Sequence, residues 1–329
     1  METVKVILMG LGVVGKNIAK ILVQKKGIEI VGALDTDKKL AGKDLGEVAG
    51  LGRKLNITVT EDADSIFSES CADVLIHTVC IYLYQLYPQI KRAIEEEINI
   101  ISSAEELSNP YVSNPVLASK LDKLARLNGV TVLGSGILPG YMDYLVLSLT
   151  GACRNVRKIS TLRYVDISPY TGQKHFGVGL TPEEFKRRAK EGSVTGHMGY
   201  VQQIRLISDR IGLKIDDVST KVEPVMDERG LVNGCRNIGE GIKAGEVKIH
   251  MQLEACADPK RKTEDHITIE AEPDISMDIR PPGILSLETT SNTIVNAIPH
   301  VINAKPGIMT TVDLPLLFAL DDDVRLYIE

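Results

Sequence analysis

VKVILMGLGVVGKNIAKIL (residues 4–22) runs a continuous apolar stretch into an amphipathic one through Gly10-Leu11-Gly12-Val13-Val14-Gly15. An apolar run of strand length, a GxGxxG turn and a following helix are the context in which that glycine pattern carries information. Gly10 permits a tight turn, Gly12 lets backbone approach a pyrophosphate, and Gly15 allows close helix–strand packing. The helix start then offers amide N–H groups and a partial positive charge to phosphates. IEIVGALD (28–35) reads as the next strand and ends on Asp35, 20 residues past Gly15, where a carboxylate can accept hydrogen bonds from an adenosine ribose. A Rossmann domain binding NAD or NADP is therefore expected. Asp35 would repel a 2′-phosphate and favours NAD, while Thr36, Lys38 and Lys39 directly after it offset that repulsion.

Further strands are expected at 57–62, 73–79, 99–103 and 130–136, separated by helices around PQIKRAIEEE and LASKLDKLARLNG. KNIAKILVQKKG is read as a helix stopped by Gly27. Strands alternating with helices imply right-handed crossovers and a parallel sheet covered on both faces. Beyond Gly136 the pattern changes. YMDYLVLSLTG reads as a helix, and Thr181-Pro-Glu-Glu184 is a capping box with proline at the first helical position. A further helix is expected to end at Gly212. EVKIHMQLE (246–254) and HITIEAE (266–272) alternate apolar and polar residues strictly, as strands of an antiparallel or mixed sheet do when one face is buried. The expected fold is α/β: an N-terminal Rossmann parallel sheet (1–136), then a second α+β domain (137–285). The C-terminal segment (286–329), helical but interrupted by Pro299, is expected to return to the first domain.

Composition sets limits. The chain has 329 residues, 43% of them hydrophobic, with no Trp and four Phe, so the core is aliphatic and suits α/β packing. A net charge of −6 argues against a nucleic-acid face, and the apolar runs fall short of the roughly 20 residues that span a bilayer. A cytoplasmic protein with no membrane or nucleic-acid partner is expected. Five scattered cysteines without a CxxC pair read as reduced structural thiols, and no HExxH-like cluster suggests a metal.

Ligands of open α/β sheets bind beyond the carboxyl ends of the strands. That places His77, Thr78 and Val79, and then Ser103, Glu105 and Glu106, toward the nicotinamide end. His77 is either functional or a hydrogen-bonded strand-end residue. Either glutamate could act as general base or ammonium partner, or both could cap the following turn. In the second domain Tyr164 and Asp166 end the apparent strand TLRYVD, His197 sits between glycines in TGHMG, and His266 heads an alternating strand.

GLGVVGKNIAK, GKDLGEVAGLG, SSAEELSNP, GSGILPGYMDYL, TGHMGYVQQI and NAIPHVINAKPGIMT occur in this order over nearly the whole chain. With them the chain resembles the 2,4-diaminopentanoate dehydrogenase family and its related amine dehydrogenases, which share the dihydrodipicolinate-reductase architecture. The resemblance implies an NAD(P)-dependent oxidoreductase acting on CH–NH2 groups. Its reaction would deaminate 2,4-diaminopentanoate or a similar amine to the ketone and ammonia, and run in reverse. It also implies that the glutamate after the fifth strand, Glu105, is the acid/base, with Glu106 second. Two departures stand out. The His-His-x-x-Lys and Pro-Ser-Gly-Thr signatures of the reductases are absent from ISPYTGQKHFGVG, which counts against a cyclic-imine reductase. Leu138 stands where the amine dehydrogenases usually carry an asparagine beside the substrate. A diamino acid would further call for a cation, Arg163 or Lys174, against its carboxylate, and for Asp166 against its second ammonium. The site is expected between the domains and the assembly is expected to be a homodimer. A non-catalytic nucleotide sensor is the remaining alternative.

Overall fold

The computed structural model describes residues 2–169 and 172–329. The chain divides into two compact units, Met1–Met142 with Leu287–Glu329, and Asp143–Ser286.

The first unit is built on a seven-stranded, wholly parallel sheet. Its strands are β1 (Val4–Met9), β2 (Ile28–Leu34), β3 (Val59–Thr60), β4 (Val74–His77), β5 (Asn99–Ser102), β6 (Thr131–Gly134) and, from the far end of the chain, β13 (Gly307–Met309). Their spatial order is β13-β6-β5-β4-β1-β2-β3, so the chain reverses direction across the sheet between β1 and β4. All four residues of β4 and of β6 are buried, as the strands of a doubly covered sheet require. One face is covered by α1 (Val13–Leu22) and the C-terminal helices α10 (Ser286–Asn296) and α11 (Ile298–Asn303), which pack Ile18, Leu22, Ile294, Ile298 and Val301 into one core. The other face is covered by α3 (Ala63–Glu69), α4 (Leu83–Glu95) and α6 (Pro115–Leu127) through Phe67, Leu86, Ile90 and Leu121. Two four-residue helices, α2 (Leu45–Val48) and α5 (Pro110–Ser113), complete the unit.

Local chemistry accounts for the differences from the sequence reading. The first helix stops at Leu22, five residues before Gly27, which instead takes φ +77° in the turn into β2. The stretch ITVTED keeps only two strand residues. α4 begins at Leu83 and carries Pro88 within it, so the helix placed around PQIKRAIEEE starts earlier than its proline suggested. Pro299 lies in the first turn of α11, where a missing N–H costs nothing.

The second unit opens with α7 (Met142–Thr150), whose first residue ends the first unit's N-terminal segment, and is built on a six-stranded mixed sheet. It comprises β7 (Arg154–Asp166), β8 (Asp217–Met226), β9 (Val232–Lys243), β10 (Glu246–Cys256), β11 (Glu264–Glu272) and β12 (Ile275–Ile279), in the order β12-β11-β7-β10-β9-β8. Only the β7–β10 pair is parallel. Along β11 the alternation is clean: Asp265, Ile267, Ile269 and Ala271 are buried, and Thr268 and Glu270 are exposed. The helix α8 (Pro182–Lys190) starts where Thr181 accepts a hydrogen bond from the Glu184 amide. α9 (Tyr200–Ile211) ends on left-handed Gly212. It rests on β9 because Gly239 and Gly241 leave room: a Cβ at either would come within 2.7 Å of Tyr200 or Ile204. Those glycines, with Gly234, also hid β9 from a reading based on hydrophobic pattern. Among the described residues no helix is long and apolar enough to cross a membrane.

Arg163 and Asp265 form an ion pair in this sheet with 4% and 1% of their side chains exposed, and Arg163 also donates to Ile284 O (2.5 Å) and Ser286 Oγ (3.2 Å). The guanidinium is therefore spent inside the sheet and does not stand ready for a substrate carboxylate. Removing one partner strands a buried charge, so Arg163→Ala is expected to destabilise the protein by about 3–5 kcal/mol in urea unfolding followed by circular dichroism.

Candidate active site

The loops after β1, β2, β3 and β4 meet beside the point where the strand order reverses, around a groove of about 500 Å³ lined by Gly10, Gly12, Asp35, Thr36, Glu61, Thr78, Val79 and Gln89 among others. Its floor is the glycine turn. Gly10 takes φ +92°, and a Cβ on it would press into Thr78 O at 2.8 Å. A Cβ on Gly15 would lie 1.9 Å from Gly10 O, so only glycine lets α1 start this close to β1. A Cβ on Gly12 would meet no described atom within 4 Å; that position faces open space where a ligand can reach the backbone. No side chain of the described residues caps the first turn of α1, which leaves the amides around Val13 and Val14 to an anion. Leu11 contributes only backbone, since its side chain is in the core and its N–H donates to Asp35 (2.6 Å).

Asp35 does more than face the groove. One oxygen accepts from Leu11 N and the other from Asp37 N (2.8 Å), so the carboxylate braces the glycine turn and keeps lone pairs for ribose hydroxyls. Lys38 is not turned toward a 2′-phosphate: it pairs with Glu61 at 2.6 Å, and Glu61 lines the groove beside Asp35. The residues present thus fit a nicotinamide dinucleotide. Thr78 donates its hydroxyl to Gly10 O (2.8 Å) and its amide to Met9 O (2.8 Å), locking the β4 loop to the glycine turn.

His77 resolves as a buried strand-end residue. Its ring bonds Ser102 Oγ through Nδ1 (3.0 Å) and Gln89 Oε1 through Nε2 (2.8 Å). Burial depresses its pKa, so it stays neutral with the proton on Nε2 facing the amide oxygen.

After β5, Glu105 and Glu106 open a 3-10 turn, Glu105–Ser108, which packs against the turn Ile137–Tyr141 after β6. That contact brings the half-buried Leu138 segment and the Glu105 segment to one end of the sheet. Gly134 permits it: a Cβ there would lie 2.7 Å from the backbone of Leu107. The two glutamates part company. Glu106 Oε2 accepts from Leu83 N at 2.6 Å, at the start of α4. The pair also sets a negative local field. Cys80 is pushed up to about 11 by burial and then by Glu106, and Tyr82 is raised by burial, by Tyr84 and by both glutamates. Ser103 ties this loop to β4 through its amide, which donates to His77 O (3.0 Å).

In the second unit the candidates lie on two faces of the sheet. His197 is on the α9 side, 7% exposed, its Nε2 2.8 Å from Gln203 Oε1, while Gln203 Nε2 donates to buried Asp143 (2.7 Å). It borders a cavity of about 200 Å³ with Thr195, Tyr200 and Asn237. Tyr164 and His266 are on the opposite face, their rings 6.4 Å apart. Arg261 covers the Tyr164 ring at 3.5 Å and, with Arg236, neutralises the buried Glu254. His266 pairs with Asp278 at 2.8 Å on the outer strands. Asp166 accepts from both the amide (2.8 Å) and the hydroxyl (2.6 Å) of Ser168, so it closes a turn. Lys174 is exposed; Tyr170 and Thr171 of the same stretch lie outside the described residues. The residues that sequence reasoning missed are Glu61 and Gln89, whose neighbours come from other elements and leave no local signal.

A glycine turn, a carboxylate at the end of β2 and a switch-point groove on a parallel sheet are those of a dinucleotide-binding fold, and with the relatives given below this chain is an NAD(P)-dependent oxidoreductase. Residues 4–101 match the profile of the dihydrodipicolinate reductase N-terminus, and residues 141–329 that of the 2,4-diaminopentanoate dehydrogenase C-terminal domain. The chain is 35% identical to 2,4-diaminopentanoate dehydrogenase of Acetoanaerobium sticklandii, over 99% of this chain and 97% of that one. It is 22% identical to an amine dehydrogenase of Streptomyces virginiae, over 95% and 96%. The solved amine dehydrogenase of Mycobacterium smegmatis superposes with a TM-score of 0.85 at 25% identity, over 97% of this chain and 98% of that one. This chain belongs to the 2,4-diaminopentanoate dehydrogenase family.

Because His77 is held neutral, its contribution to stability has a definite sign. The unfolded chain takes up its proton near pH 6.5 and the folded chain only lower, so stability is full above pH 6.5 and falls as pH drops below it. The unfolding free energy of the wild type, from urea denaturation, should therefore fall more steeply between pH 7.5 and 5.5 than that of His77→Gln, by at most about 1.4 kcal/mol per pH unit.

Proposed function

We propose that the protein catalyses oxidative deamination of 2,4-diaminopentanoate, or a similar amine on a secondary carbon, to the corresponding ketone and ammonia, and the reverse reductive amination. The observation that carries this reading is Glu105, on the turn after β5 beside the switch point, next to a second carboxylate. The names of the relatives support the substrate class.

Gly12, the first turn of α1 and Asp35 would hold the dinucleotide, with Thr78 and Val79 along its path. When bound, its nicotinamide ring takes the hydride that leaves the amine-bearing carbon, or returns it. Glu105, as a carboxylate, stabilises the substrate iminium cation by charge. Glu105 then removes a proton from the water whose oxygen adds to the iminium carbon. Collapse of the carbinolamine forms the C=O bond, breaks the C–N bond and sends the proton out with ammonia. In the second unit His197, Gln203 and Asp143 form a buried polar chain, and Tyr164 and His266 lie on the opposite face of the sheet. NAD is the favoured dinucleotide, because Asp35 and Glu61 both border the ribose end and Lys38 is engaged by Glu61.

Purified protein should reduce NAD+ with 2,4-diaminopentanoate in a screen that includes simple secondary amines, amino acids and a cyclic imine. Turnover of the cyclic imine alone, without ammonia, would point instead to an imine reductase. Glu105→Gln should lower kcat by roughly 10²–10⁴-fold while leaving the dinucleotide Kd unchanged; wild-type turnover by this variant sinks the assignment. Replacing Asp35 by Ser should weaken NAD+ binding and narrow its advantage over NADP+, as titration of reduced-dinucleotide fluorescence reads directly.

A further inference from the structure

Glu105 lies in a turn that is held on both sides. Ahead of it, fully buried Ser102 accepts from Ala104 N (3.1 Å) and gives its hydroxyl proton to His77 Nδ1 (3.0 Å); His77 in turn bonds Gln89 Oε1 (2.8 Å). Its own carbonyl accepts from Ser108 Oγ (2.9 Å). Behind it, Glu106 donates its amide to Ile81 O (3.3 Å) and accepts from Leu83 N through Oε2 (2.6 Å). Leu83 is the first residue of α4, and Tyr82, in the capping position, supplies no side-chain bond among the described residues. A carboxylate arriving from another loop therefore does the work of the N-cap, with the helix dipole favouring its charge. Both ties end on α4, which carries Gln89 into the wall of the dinucleotide groove.

We infer that Glu106 is a positioning residue for the reaction: by capping α4 it fixes the backbone of Glu105, and with the Ser102–His77–Gln89 chain it fastens that turn to the helix that walls the dinucleotide groove. The inference rests on the reading of Glu105 as the reacting carboxylate. It assigns the adjacent glutamates separate tasks: Glu106 is committed to an amide of the fold, and moving it to meet a substrate would uncap α4. A reacting carboxylate needs placement to a fraction of an ångström, and a shift of about 1 Å is enough to cost on the order of 100-fold in rate.

The test compares Glu106→Ala, Glu106→Gln and Glu105→Gln in the full-length protein with NAD+ and the amine found in the screen. Glutamine keeps an oxygen for Leu83 N and removes the charge. Glu106→Ala should lose about 10- to 100-fold in kcat with little change in amine KM or dinucleotide Kd, and Glu106→Gln should restore most of that loss. Amide hydrogen exchange over residues 80–86 should quicken in Glu106→Ala and not in Glu106→Gln, which reads the cap whether or not Glu105 reacts. Glu106→Gln as inactive as Glu105→Gln makes Glu106 the reacting group and overturns the inference; so does Glu106→Ala with wild-type kcat. Wild-type turnover by Glu105→Gln would instead remove the reading beneath it, with the exchange result unaffected.

Discussion

The carbonyl of Gly10 lies against the bare Cα of Gly15, and the nucleotide-binding unit depends on that contact. Gly15 lies so close that a single Cβ would sit 1.9 Å from the oxygen, and Thr78 closes the same carbonyl from the β4 side with its hydroxyl at 2.8 Å. The contact holds the start of α1 against the carboxyl ends of β1 and β4. Its first turn therefore opens into the groove, with no side chain of the described residues capping it. Asp35 completes the arrangement from β2 by accepting the Leu11 amide, so a carboxylate that lines the groove is also a strut of the glycine turn.

Charge organises the other end of the site. Two neighbouring carboxylates, a thiol pushed up to about 11 by burial and then by Glu106, and a raised tyrosine all disfavour further negative charge around the turn after β5. The cost of setting two carboxylates side by side is offset in part because one of them caps a helix.

The second unit shows how contacts within a sheet engage polar and charged residues. Arg163, His266 and Asp166 look unengaged in a linear sequence. In the fold Arg163 is joined to Asp265, Glu254 is held between Arg236 and Arg261, His266 is paired with Asp278, and Asp166 closes a turn on Ser168. His197 is different: its partners lead to a buried carboxylate through Gln203, and it borders a cavity on the helix-covered face.

By itself the sequence determined the glycine turn, because a GxGxxG pattern between an apolar strand and an amphipathic helix is a local signal, although Gly10 also needs room against Thr78 from β4. Strict alternation likewise determined β11, since one buried and one wet face leave a period of two; in β10 it fails at Glu254, which two arginines bury. It could not separate Glu105 from Glu106, which are adjacent and chemically alike. The tertiary structure gives Glu106 a partner that the chain's local order does not show, an amide that begins a helix 23 residues earlier. It also decided the state of His77, whose partners come from β5 and α4, and it revealed β9, whose glycines erase the hydrophobic pattern while making room for α9. What depends on the chain's own neighbours can be read along it; what depends on a partner brought from elsewhere needs the fold.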